Sequence, residues 1–170
     1  MSEPPLLRHA LAEDWPALLD LWEEAWSAAL PQIDFSARRR WMSDRLSALD
    51  QAGAVIVLGL DEGGFIAGFI TVDPGTGCID QLAVRLALQG RGWAKLLLHH
   101  AQVLSPAGLH LSVNQANETA IRLYRREGFV ITEAGTNELS GHPVWHMSRP
   151  GSDLIKPAGA GGLLTATLSP

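Results

Sequence analysis

Cysteine is nearly absent from this chain of 170 residues: Cys78 stands alone, which rules out an internal disulfide and suits a reducing compartment. Long apolar runs are missing too, since none approaches the ~18 residues that cross a bilayer. Met1-Ser2-Glu3-Pro4-Pro5 has neither the basic stretch nor the apolar core of a secretion signal, so the expected location is cytoplasmic. Positive charge is scarce, with 13 Lys and Arg against 18 Asp and Glu for a net charge of −5. That balance argues against a nucleic-acid partner held by a basic face. The one basic run, Arg38-Arg39-Arg40, reads as a solvated helix face, with a phosphate contact as the alternative. Metal ligands at useful spacing are also lacking. His99 and His100 point to different sides of a helix, and His142 and His146 flank a proline in strand context, so no metal is expected. No internal repeat is found, and neither the NTPase phosphate loop nor the dinucleotide G-x-G-x-x-G fingerprint occurs.

What remains is the composition of one soluble domain, 46% hydrophobic and 18% charged. The expected domain covers residues 5–149. Residues 150–170, rich in Gly, Ala, Pro, Ser and Thr without an aromatic, read as a flexible tail in which Leu163, Leu164 and Leu168 could dock. Apolar periodicity and turn residues predict a strand over Leu6–Ala10, then a helix opened by Glu13-Asp14-Trp15-Pro16 and a second helix over Phe35–Ala48. Strands follow over Ala54–Leu60 and Phe65–Val72, joined by an Asp61-Glu62-Gly63-Gly64 turn. The second half reads as strand, helix, strand, helix and two further strands. The order β-α-α-β-β-β-α-β-α-β-β makes an α/β fold, with a mixed, mostly antiparallel sheet of about seven strands flanked by four helices.

The most informative stretch is Gln89-Gly90-Arg91-Gly92-Trp93-Ala94, between the apolar strand Ile79–Val84 and a helix that runs to Leu104. A strand, a glycine turn and a helix start present free N–H groups and the positive end of a helix dipole, a site for a phosphate or pyrophosphate. The glycines remove Cβ atoms that would keep a ligand off the main chain, and Arg91 adds charge. By itself the pattern is equally that of a plain turn. About thirty residues on, Asn117 to Phe129 reads as a helix with Asn117 as N-cap and Gly128 as C-cap glycine. Ala120, Leu123, Tyr124 and Glu127 lie along one side of it, and Tyr124 is the only tyrosine in the chain.

On these residues the chain resembles the GNAT-type N-acetyltransferases, which use acetyl-coenzyme A. Gln89, Gly92 and Ala94 match the pyrophosphate motif [RQ]-x-x-G-x-[GA] of that family. Asn117, Ala120, Tyr124, Gly128 and Phe129 match Asn-x-x-Ala-x-x-x-Tyr-x-x-x-Gly-Phe. The likeness extends more loosely from about Leu6 to about Ser148. Leu86 replaces a proline common in the family, a departure that touches turn shape only.

The resemblance implies a single-domain GNAT-like fold, direct acetyl transfer from acetyl-CoA to a primary amine, and a possible homodimer. It assigns the cofactor to Leu82, Ala83 and Val84, whose N–H groups would be freed by a strand that bulges and splays. Gln89, Gly90, Arg91, Gly92, Trp93 and Ala94 would take the pyrophosphate, with Asn117, Ala120 and Tyr124 lining the pantetheine. It gives Tyr124 the role of general acid toward the departing thiolate. A phenol, with an ordinary pKa of about 10, holds a proton to give at neutral pH; the plainer alternative is a tyrosine that only packs. Asp80 is the expected base, on the argument that a carboxylate beside an apolar channel has a raised pKa. It could instead hold the substrate ammonium or cap a strand end, and Glu23, Glu24 and His146 are further candidates. Trp22, Trp26, Phe35 and Trp41 read as core or as an acceptor pocket. A small-molecule amine is the favoured acceptor. A protein N-terminus or lysine, and a non-catalytic acyl-CoA-binding module, are the alternatives.

Overall fold

The computed structural model describes residues 5–151, and the expected tail lies almost wholly outside that range. Within it the chain orders as β1 (Leu6–His9), α1 (Trp15–Ala29), α2 (Arg39–Gln51), β2 (Val55–Leu60), β3 (Ile66–Val72), β4 (Ile79–Val84), α3 (Trp93–Leu104), β5 (Gly108–Asn114), α4 (Glu118–Arg126), β6 (Val130–Thr136) and β7 (Pro143–Pro150). This is the order predicted from periodicity. The α2 segment starts later than expected because Ser36–Arg38 forms a separate 3-10 turn. That turn lets Phe35 drop into the core, its ring 5.5 Å from Trp22 and 5.8 Å from Trp26. No helix among the described residues is long and apolar enough to cross a membrane.

The seven strands form two sheets, ordered β1-β2-β3-β4 and β5-β7-β6 and antiparallel within each. They touch at a single parallel bridge, Cys78 to His110, where the His110 N–H donates to the Gly77 carbonyl at 2.9 Å. The seven expected strands are thus shared between two sheets; beyond this bridge β4 and β5 part, and the parting is what makes room for a site.

Two cores explain the layering. On one face of the first sheet, Leu18, Leu21, Trp22 and Ala25 of α1 join Met42 and Leu46 of α2 against Ile56, Leu58 and Phe69. On the other face, Leu97, Leu98 and Ala101 of α3 pack with Val57, Ile70 and Val72, and the cluster continues through Leu109, Leu111, Val113, Tyr124 and Phe129. Because β2 and β3 are covered on both faces, they read as nearly continuous apolar runs rather than alternating ones. Strand β5 alternates instead: Leu109, Leu111 and Val113 are buried while His110 and Ser112 are exposed. Its polar face is that of a sheet packed on one side only.

The entry to α1 is fixed electrostatically. Arg8 of β1 grips both carboxylate oxygens of Asp14 at 2.7 and 2.8 Å, and Asp14 also accepts the Leu11 N–H at 2.7 Å. The Arg8 hydrogen bonds hold the Asp14 carboxyl below the usual carboxylate range.

Candidate active site

The space between the diverging strands is part of an open cleft of about 2500 Å³ that extends to α1, α2 and β6. One wall is built of backbone. At its start β4 carries one residue more than β3 can pair, so the register slips between the pairs Ile70–Leu82 and Val72–Ile79. The bulge is stabilised by the buried Thr71, whose hydroxyl accepts the Gln81 N–H at 2.9 Å. Past the bulge, strand alternation decides which groups are free. The Arg85 N–H donates to the Ala67 carbonyl at 2.7 Å, so residues 85 and 83 turn toward β3. Leu82 and Val84 therefore direct their main-chain groups to the open edge. Consistent with that phase, the Val84 carbonyl accepts from Gln89 Nε2 at 3.2 Å. Of the three residues expected to offer free N–H groups, Leu82 and Val84 face the cleft, whereas Ala83 is turned into the ladder.

The loop that follows carries the chain to α3. Gly90 and Gly92 sit at φ of +76° and +89°, a left-handed region that L side chains rarely occupy, with open space where a Cβ would stand. Gly92 is the N-cap of α3, and the Leu96 N–H to Gly92 carbonyl bond, at 3.0 Å, opens the helix. The N–H groups of the preceding turn, Trp93 to Lys95, are therefore left without intrahelical acceptors. Ala94 and Lys95 line the cleft there, and Arg91 is exposed beside it. Trp93 turns its ring onto Gly59 of β2, where an added Cβ would come within 2.9 Å of it, so its side chain packs while its N–H stays at the helix start.

Side chains build the opposite wall. Asn117 caps α4, its Oδ1 accepting the Ala120 N–H at 3.2 Å, and is buried beside the cleft. Tyr124, one turn on from Ala120, is 8% exposed, tilted 5.6 Å from Phe129, and lines the cleft. Burial pushes its phenol well above the ordinary range, so the hydroxyl keeps its proton at neutral pH.

Asp80 sits at the bulge, with 14% of its side chain exposed and lining the cleft, but it is not alone there. Arg45 of α2 donates to both its oxygens, Nε to Oδ2 at 2.8 Å, and Gln81 Nε2 adds a third bond to Oδ2 at 3.1 Å. The Arg45 guanidinium in turn lies 5.7 Å from the Trp41 ring centroid. The expected setting, a lone carboxylate by an apolar channel, is replaced by a paired one. Arg45 is 35 residues from Asp80, and nothing local in the sequence marks the pair. Glu24 accepts the Leu86 N–H at 3.0 Å, and Glu23 takes Arg39 at 3.4 Å, so both carboxylates are engaged in joining elements. Trp22 and Phe35 are core; Trp26 and Trp41 border the cleft. Burial pushes the Cys78 thiol up, with the charge of Asp80 adding, which makes it a poor nucleophile. No group of three metal-ligating side chains occurs among the described residues.

Comparison with known proteins agrees with this geometry. Residues 15–129 match the Acetyltransferase (GNAT) family. The chain is similar to the peptidyl-lysine N-acetyltransferase YiaC of Escherichia coli K12, at 27% identity over 147 residues, 85% of this chain and 97% of the relative. Its fold is similar to PaiA N-acetyltransferase of Thermoplasma acidophilum, solved with coenzyme A, with a TM-score of 0.73 at 15% identity over 87% of this chain and 99% of the other. It is likewise similar to a phosphinothricin acetyltransferase of Sinorhizobium meliloti solved with acetyl-CoA, with a TM-score of 0.68 at 20% identity over 92% and 94%. A bulged strand with a free edge, a glycine-capped helix start and a buried tyrosine across one cleft thus go with a family match over most of the chain, and the protein belongs to the GNAT family of N-acetyltransferases.

Proposed function

We propose that the chain transfers the acetyl group of acetyl-CoA to a primary amine, presented as the side chain of a lysine in a peptide or protein. The observation that carries the transfer is that the free edge of β4 and Tyr124 line one cleft. The donor's pyrophosphate lies on the N–H groups from Gly90 to Lys95, aided by Arg91, and its pantetheine arm runs between β4 and Asn117. The Val84 N–H bonds that arm. The Leu82 N–H bonds the thioester carbonyl and, as the amine attacks, the oxyanion that forms there. Backbone donors suit this task because they are fixed before the reaction and need no reorganisation. When the C–S bond breaks, the thiolate takes the phenol proton of Tyr124, help typically worth ~10²–10⁴-fold. Asp80 with its partner Arg45 forms the charged floor of the acceptor side; to act as base it would have to release Arg45 first.

The lysine acceptor is favoured by the openness of the cleft and by the relative named for that substrate. A small cationic amine is the second reading, favoured by Asp80, Glu133 and Glu138 along the same cleft. The test is CoA release from acetyl-CoA with lysine-containing peptides, polyamines, amino acids and aminoglycosides, with acetylated product identified by mass. Turnover on the peptides supports the lysine reading, and turnover on small amines alone replaces it. Acetyl-CoA that binds without release on any acceptor defeats transfer to an amine.

A further inference from the structure

Across the split from Asp80, the second sheet holds an imidazole that the reaction above does not use. His146 of β7 stands directly opposite Ser112 of β5, and its Nδ1 lies 2.7 Å from Ser112 Oγ. On its other side the ring lies over Gly135 of β6. A Cβ there would come within 3.1 Å of His146 Cδ2 and closer still to Nε2, so only glycine leaves the ring its place. The hydroxyl of Thr132 donates to the His146 carbonyl at 3.2 Å and fixes the strand at that residue. Three strands thus seat one ring, whose Nε2 has no hydrogen-bond partner among the described residues. Ser112, Thr132 and His146 all line the cleft, and Ser112, two residues past the Cys78–His110 bridge, is level with Asp80.

We propose that His146 is the general base that deprotonates the acceptor amine, with Ser112 and Gly135 as positioning residues; this rests on the acetyl-transfer reading above. Nδ1–H donates to Ser112 Oγ, which leaves the lone pair on Nε2, beside Gly135, as the ring's free proton acceptor. Nε2 takes one proton from the R–NH₃⁺ acceptor, directly or through one water. The neutral amine attacks the thioester carbon, forming the C–N bond. The C–S bond then breaks, and the thiolate takes the Tyr124 proton. The second amine proton returns to the tyrosinate, and imidazolium passes its proton to solvent. The titratable groups sharing this face are His110 on β5 and Glu133, opposite His146 on β6, while Asp80 across the split is held by Arg45.

The test measures the pH dependence of kcat/KM for the full chain with its best amine, together with ¹⁵N chemical shifts of the histidine rings. His146→Gln is expected to lower kcat at neutral pH by at least ~10²-fold, with acetyl-CoA affinity within threefold of the wild type. Its activity should rise toward the amine's own ionisation, and added imidazole should restore part of the activity of His146→Ala. Ser112→Ala and Gly135→Ala should lower kcat less, leave the KM for acetyl-CoA unchanged, and shift the ring away from the Nδ1–H tautomer. A wild-type ring protonated on Nε2 at neutral pH overturns the inference, as does a His146→Gln variant within threefold of wild-type kcat with the same pH profile. The two failures are distinct: a wild type without turnover on any amine defeats the acetyl-transfer reading and this inference with it. Turnover untouched by His146→Gln defeats only this inference.

Discussion

The two sheets on either side of the cleft serve it by different means. The first sheet, whose central strands β2 and β3 are buried on both faces, offers the cleft chiefly main-chain groups: the free edge of β4, the Gly90–Gly92 loop it feeds, and the start of α3. The second sheet, bare on one face, offers side chains: Ser112, His146 and, from the helix packed on its other face, Asn117 and Tyr124. Strands buried on both faces have few side chains to spare for chemistry, so this sheet serves the cleft mainly where its ladder is broken. A sheet with one wet face can place polar groups at every second residue. Backbone and side chain should therefore respond differently to substitution on the two sides.

The largest effect is expected on the side-chain wall. Tyr124→Phe removes the acid while keeping the ring, so kcat should fall ~10²–10⁴-fold with acetyl-CoA affinity unchanged in calorimetry. Since burial holds the phenol above its ordinary range, the wild-type profile should show no loss of activity from Tyr124 ionising between pH 7 and 9. Stability should reverse the ranking of the two sheets. Leu58→Ala, fully buried in β2, is expected to cost about 2–5 kcal/mol in denaturant unfolding. His110→Ala, exposed on β5, should cost less than about 0.5 kcal/mol. On the backbone wall, Gly92→Ala forces a Cβ into a left-handed φ of +89° and should cost about 1–2 kcal/mol. It should also weaken acetyl-CoA binding several-fold. The smallest effect lies far from the cleft. Because Arg8 lowers the folded Asp14 pKa below its unfolded value of about 3.9, the pair's contribution is present above that value. It is lost as pH falls through the folded pKa. Asp14→Asn should lower the Tm at pH 7 by an amount worth about 1 kcal/mol. That gap should close in acid.

The same contrast explains what was legible in the sequence. The order of elements was, because apolar runs in β2 and β3, alternation in β5 and helical spacing in α1 and α3 are local signals. So was the glycine turn ahead of α3, since glycine at Gly90 and Gly92 records a backbone demand at the residue itself. The groups that depend on register were not. Whether Leu82 or Ala83 faces the cleft is set by the phase of pairing with β3 and by one extra residue at the bulge. The partner of Asp80 arrives from α2, and the seat of His146 is assembled from residues 34 positions apart on β5 and β7 together with a glycine on β6. Gly135 in particular looks in sequence like a weak point in a strand, and its use appears only when the ring above it is known.

The central claim, that acetyl-CoA is held by the open main chain of β4 and the start of α3, is tested most directly by amide hydrogen exchange with and without acetyl-CoA. The expected result is new protection at Leu82, Val84 and the amides from Gly90 to Lys95, with Ala83 already protected by its ladder bond in the free protein. Protection that falls on Ala83 and spares Leu82 and Val84, or that leaves the Gly90–Lys95 amides unchanged while the ligand is bound, would contradict it.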